Sequence, residues 1–80
     1  MSSIHTRDYR RLLETLRKAR LDAGLTQVQV AAKLKKPQSF LAKCESGERR
    51  IDFIEMQALA RLYGKALSFF EAPKRRNYRA

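Results

Sequence analysis

Glycine occurs three times in this chain, at Gly24, Gly47 and Gly64, and each time it closes a stretch whose apolar residues recur at helical spacing. Glycine enters the left-handed conformation without a Cβ penalty and so ends helices readily. The chain is thereby confined to short helices. Tyr9, Leu12, Leu13, Leu16, Arg20 and Ala23 fall on one helical face, with Arg10, Arg11, Glu14, Arg17 and Lys18 outside it. Thr26 followed by Gln29, Asp52 by Glu55, and Ser68 by Glu71 each fit a capping box, the last around Phe69 and Phe70. Pro37 suits the first turn of a helix because it has no N–H to leave unpaired there. Nothing alternates as a strand would. The reading is all-α, a compact bundle of five short helices over residues 7–72, with an N-terminal arm at 1–6 and a basic tail at 73–80.

Eighty residues lie near the lower limit at which one hydrophobic core holds a fold unaided. With a single cysteine, Cys44, there is no internal disulfide, and Cys44 with the single histidine, His5, cannot close a four-ligand zinc site. The two also sit on different elements, out of reach as nucleophile and base. Neither an enzyme nor a cofactor is implied. No run approaches the roughly 18 apolar residues of a membrane span, and the first ten residues lack the apolar stretch of a signal peptide, so a cytoplasmic protein is expected. The excess of 18 Lys and Arg over 8 Asp and Glu gives a net charge of +10, a field that attracts polyanions, nucleic acid first.

The most informative unit is TQVQVAAKL, KK, PQSFLAKCESG: two short helices joined so tightly that they must cross steeply, leaving the second to project. With LRKARLDAGLTQ before it and ERRIDFIEMQALARLYG after it, this resembles the helix-turn-helix domain of the phage repressor and Cro (XRE) family, lambda repressor-like in fold, over roughly residues 10 to 71. The resemblance rests on the Gly-Leu-Thr-Gln entry, small Ala31 where the helices cross, and Glu-Ser-Gly at the end of helix three.

That resemblance implies roles for individual residues. Gln27 matches a position that bonds a DNA phosphate and orients the first reading residue. Gln38, Ser39, Ala42 and Lys43 match the face of the recognition helix that lies in the major groove. There glutamine pairs with adenine, lysine donates to guanine, and alanine meets a thymine methyl. Leu41 and Cys44 match inward positions. Glu45 and Arg20 match an ion pair, and Arg20, on an otherwise apolar face, requires one. Lys33, Lys35, Lys36, Arg49 and Arg50 flank the reading helix where a phosphate backbone would pass. Lys35 stands where many members of the family have glycine, so it either takes a positive φ or the turn differs.

Other residues have plainer readings. A cysteine three positions from Leu41 on a core-facing stripe is expected to be buried rather than reactive. Phe40 is expected to pack against the loop containing Ile51 and Phe53 rather than on a thymine methyl. Phe69 and Phe70 are adjacent and cannot face the same way; one should complete the core. The other, with Leu67 or Tyr63, is the candidate dimer contact. Lys74, Arg75, Arg76 and Arg79 could touch DNA, hold a protein partner, or be disordered. The expectation is a sequence-specific, DNA-binding transcriptional regulator acting as a homodimer on double-stranded DNA at a palindromic operator. The alternatives are an antitoxin-type module that holds a toxin through its last helix or tail, and a restriction-modification controller.

Overall fold

The computed structural model describes residues 6–71. His5 and the basic tail lie outside them. Four α-helices follow in order: α1 (Arg7–Asp22), α2 (Gln27–Lys33), α3 (Gln38–Ser46) and α4 (Phe53–Tyr63). The expected fifth helix is a single 3-10 turn, Leu67–Phe70. The Ser68 and Glu71 capping box is absent there: Ala66 is the N-cap, without a side-chain bond, and Glu71 already lies in the extended region at φ −73, ψ 148.

The other helix ends follow local chemistry. Thr6 caps α1 by accepting from the Tyr9 N–H at 3.2 Å. Both remaining capping boxes are complete: Thr26 with Gln29 opens α2, and Asp52 with Glu55 opens α4. Pro37 is the N-cap of α3 rather than a helical residue, extended at ψ 155. Gly47 ends α3 at φ +88, and a Cβ there would lie 3.3 Å from Cδ1 of Leu13. Glycine is therefore needed at this position both for its backbone angle and for the close approach of α3 to α1.

The core gathers Leu13, Leu16 and Ala19 from α1, Val30 from α2, Phe40, Leu41 and Cys44 from α3, Leu59, Ala60 and Tyr63 from α4, and Phe70 from the last turn. Leu16, Leu41 and Leu59 are almost wholly buried, each stabilising the fold by about 1.5–3 kcal/mol. The face of α1 is shifted slightly from its expected position: Ala19 is buried, while Ala23, the C-cap, is exposed. Two candidate dimer residues, Tyr63 and Phe70, are buried inside the monomer and cannot serve as its outer contact. Burial also raises the Tyr63 phenol above its ordinary range. Leu67 is half-buried and Phe69 exposed.

The turn between α2 and α3 is closed by the Lys35 and Lys36 N–H groups donating to the carbonyls of Ala32 and Ala31. Ala31, where the helices cross, is 1% exposed. Lys35 has φ +59, the one non-glycine residue with positive φ among those described. This conformation costs an L-residue about 1–2 kcal/mol. Lys35→Gly is expected to raise stability by about 0.5–1 kcal/mol, the relieved strain less the entropy glycine loses on folding. Urea denaturation followed by circular dichroism reads the change; a fall in stability would show that the lysine side chain contributes more than its backbone angle costs.

Candidate nucleic-acid interface

Helix α3 is amphipathic. Phe40, Leu41 and Cys44 face inward, while Gln38, Ser39 and Lys43 are exposed and Ala42 is half-buried between them. One short helix thus carries the exposed polar residues of the candidate reading face and three core anchors that fix its position. Cys44 is a free, buried thiol whose pKa is pushed up by burial, against the opposing Arg49 guanidinium 3.8 Å from its Sγ.

A chain of hydrogen bonds runs from the core to this face. The Arg20 guanidinium donates through Nε to Glu45 Oε2 at 2.7 Å, through Nη2 to Glu45 Oε1 at 3.1 Å, and through Nη1 to the Leu25 carbonyl at 2.9 Å. Both side chains are under a tenth exposed, so they form a desolvated, two-pronged pair. The hydrogen bonds to Glu45 raise the Arg20 pKa, against the opposing cost of burial. Gln27 then donates through Nε2 to Glu45 Oε1 at 3.0 Å, and its Oε1 accepts from Gln38 Nε2 at 3.1 Å. The orientation of Gln38 is in this way set from α1, through α3 and α2. Among the described residues the second N–H of the Gln27 amide has no partner.

The cations expected to flank the reading helix divide into two groups. Lys33, Lys35 and Lys36 are exposed, and the Lys36 ammonium lies 5.3 Å from the centroid of the Phe40 ring. Arg50 is exposed and stacks over Tyr9 at 5.3 Å. Arg49 is half-buried and makes internal bonds. Its guanidinium bonds both carboxylate oxygens of Glu55 at 2.8 Å and the Arg50 carbonyl at 3.0 Å, and lies 4.8 Å over Phe40. These bonds brace the loop between α3 and α4, and the side chain is still 41% exposed. Phe40 is accordingly covered by Lys36 and Arg49, and Phe53, expected to pack on it, is 64% exposed. Glu55 is more than the capping residue that its spacing to Asp52 predicts. Its Oε1 accepts from both the Asp52 N–H and Arg49, and the spacing of six residues to Arg49 across a loop matches no helical or strand period.

Two predictions arise from this arrangement. Arg49 holds the Glu55 carboxyl below its ordinary pKa of 4.5. Between the folded and unfolded values the unfolded chain binds more protons, so the contribution of Glu55 is complete above about pH 4.5 and is lost as pH falls through the lowered folded value. Glu55→Gln should flatten the acid limb of a stability-against-pH curve; an unchanged limb would show that the pair contributes nothing. Lys36→Ala should weaken binding to every duplex alike and lower the slope of log K against log salt by about one. A sequence-dependent loss in filter binding over a salt series would instead make Lys36 a base reader.

No helix among the described residues is long and apolar enough to cross a membrane. Among protein families, the model described as Helix-turn-helix (HTH_3) matches residues 16–70. Among solved structures, the chain is similar to an XRE-family like protein from Pseudomonas syringae pv. tomato str. DC3000, with 43% identity, a TM-score of 0.77, and coverage of 84% of this chain and 82% of that one. No curated protein sequence matches.

Proposed function

The chain belongs to the Cro/C1-type (XRE) helix-turn-helix family, and from that premise we propose that it is a sequence-specific transcriptional regulator that docks α3 in the major groove of a palindromic operator as a homodimer. The observation that carries this reading is the relay from Arg20 through Glu45 and Gln27 to Gln38. A surface that merely attracts phosphate needs charge, whereas a base-reading amide needs a fixed orientation. Gln38 has one, and the exposed side chains of Ser39 and Lys43 lie beside it on α3.

In this reading Gln38 pairs with adenine and Lys43 donates to the N7 and O6 of guanine, with Ala42 against a thymine methyl. Lys33, Lys35, Lys36 and Arg50 contact the flanking phosphates, as does the free N–H of the Gln27 amide. Two-fold symmetry sets the recognition helices about one DNA turn apart, roughly 34–36 Å. Selection from random duplexes tests the proposal: an enriched inverted repeat with half-sites at that spacing is expected. Recovery of unrelated sequences bound with equal affinity would overturn it.

A further inference from the structure

Two neighbouring arginines in the loop after α3 are held in different ways. Arg49 is paired with the Glu55 carboxylate. Arg50 is exposed and has no carboxylate partner among the described residues; its guanidinium lies 5.3 Å from the centroid of the Tyr9 ring. The peptide group between Arg50 and Ile51 is bonded through both of its polar atoms. Its carbonyl accepts from Arg49 Nη1 at 3.0 Å, and its N–H donates to the Tyr9 hydroxyl at 3.0 Å. The Arg49 N–H in turn donates to the Lys43 carbonyl at 3.1 Å, which ties the loop to the last turn of α3. Tyr9 thus holds Arg50 twice, by its hydroxyl on the backbone and by its ring on the side chain.

We infer, on the reading above that α3 enters the major groove, that Tyr9 is a positioning residue for DNA binding, which presents the Arg50 guanidinium as a preset phosphate clamp beside the end of α3. A carboxylate and an aromatic ring hold an arginine with different consequences. The carboxylate takes the guanidinium N–H groups and balances the charge, as Glu55 does for Arg49. A ring face attracts the same cation but offers those N–H groups no lone pair, so they remain for another acceptor. Because the flexible side chain is ordered beforehand, less freedom is lost when a phosphate arrives. Tyr9 is itself half-buried and packed against the core, so an exposed cation gains a rigid support. Tyr9 also precedes residues 16–70, those the family model matches. The brace therefore comes from the start of α1 and not from the helix-turn-helix unit.

Filter binding over a salt series, on the selected inverted repeat and on a scrambled duplex of the same length, tests the inference. The chains compared are wild type, Tyr9→Phe, Tyr9→Leu, Arg50→Ala, and each Tyr9 change combined with Arg50→Ala, with the fold of each checked by circular dichroism. Arg50→Ala is expected to lower the slope of log K against log salt by about one per bound copy. Tyr9→Leu keeps apolar bulk against the core and should weaken binding by about two- to tenfold with the slope unchanged, because the charge remains and only its ordering is lost. Tyr9→Phe, which retains the ring, should lose less. Neither Tyr9 change should weaken binding further once Arg50 is alanine. A loss of equal size in both backgrounds, or no loss in Tyr9→Leu, would overturn the inference by making Tyr9 a structural residue only. An unchanged salt slope in Arg50→Ala would overturn it by removing the phosphate contact. Should Tyr9→Leu fail to fold, Tyr9→Phe decides by the same comparison. Failure of the base-reading proposal shows separately, as equal affinity for the two duplexes with the dependence of Tyr9 on Arg50 intact.

Discussion

Glu45→Ala is expected to lower the unfolding free energy by about 3–5 kcal/mol, the cost of leaving a buried charge without its partner. The pair is almost fully removed from water. Without Glu45, Nε and Nη2 of Arg20 lose their acceptors and the Leu25 carbonyl alone remains to the guanidinium. The Gln27 amide loses its anchor in the same step. At roughly 0.05–0.15 kcal/mol per residue, a chain of this length has about 4–12 kcal/mol in all. The loss is therefore a large share of the whole.

The paired replacement Arg20→Met with Glu45→Leu separates folding from function. Replacing both charges by apolar groups of similar volume is commonly neutral or stabilising, so this double variant should recover most of the stability. It has no carboxylate to hold Gln27, and Gln27 then no longer fixes Gln38. The expected result is a folded domain that binds DNA with reduced preference at the base Gln38 reads. Urea denaturation and binding to matched and mismatched duplexes give the two readouts. A double variant that is as unstable as Glu45→Ala would mean that Leu25 and Gln27, not the ion pair, dominate the site.

Lys43→Ala should leave the fold intact, since its side chain is exposed, and should remove discrimination at one operator position by about 1–3 kcal/mol. In a two-fold complex the loss recurs in each half-site. The signature is a flattened preference at one symmetric pair of positions with the remaining positions unchanged, read by selection or by competition between single-base variants. Unaltered base preference would assign Lys43 to the phosphates and move guanine reading elsewhere on α3.

Much of this was legible before the fold was described, where local chemistry decides. Thr26 with Gln29 and Asp52 with Glu55 act within four residues, so their capping boxes follow from spacing. Arg20 on an apolar face announces a buried partner, and family resemblance supplied Glu45. What escaped depends on loops. The path from Gly47 to Asp52 turns Arg49 back onto Glu55 and Phe40, an internal role that its sequence position does not announce. Phe53 is exposed because the same loop delivers it to the outer side of the first turn of α4. Tyr63 was misassigned for a different reason: in a helix with apolar residues on several sides, periodicity alone does not say which side the core takes. The core took Leu59, Ala60 and Tyr63 and left Ile54 outside.

NMR titration of the isotopically labelled chain with its selected duplex asks whether α3 is the element that reads DNA. The largest shifts are expected at Gln38, Ser39, Ala42 and Lys43 and at Gln27 behind them, with the basic outer face of α1 nearly silent. Shifts concentrated on Arg7, Arg10, Arg11 and Arg17, with α3 unmoved, would contradict it.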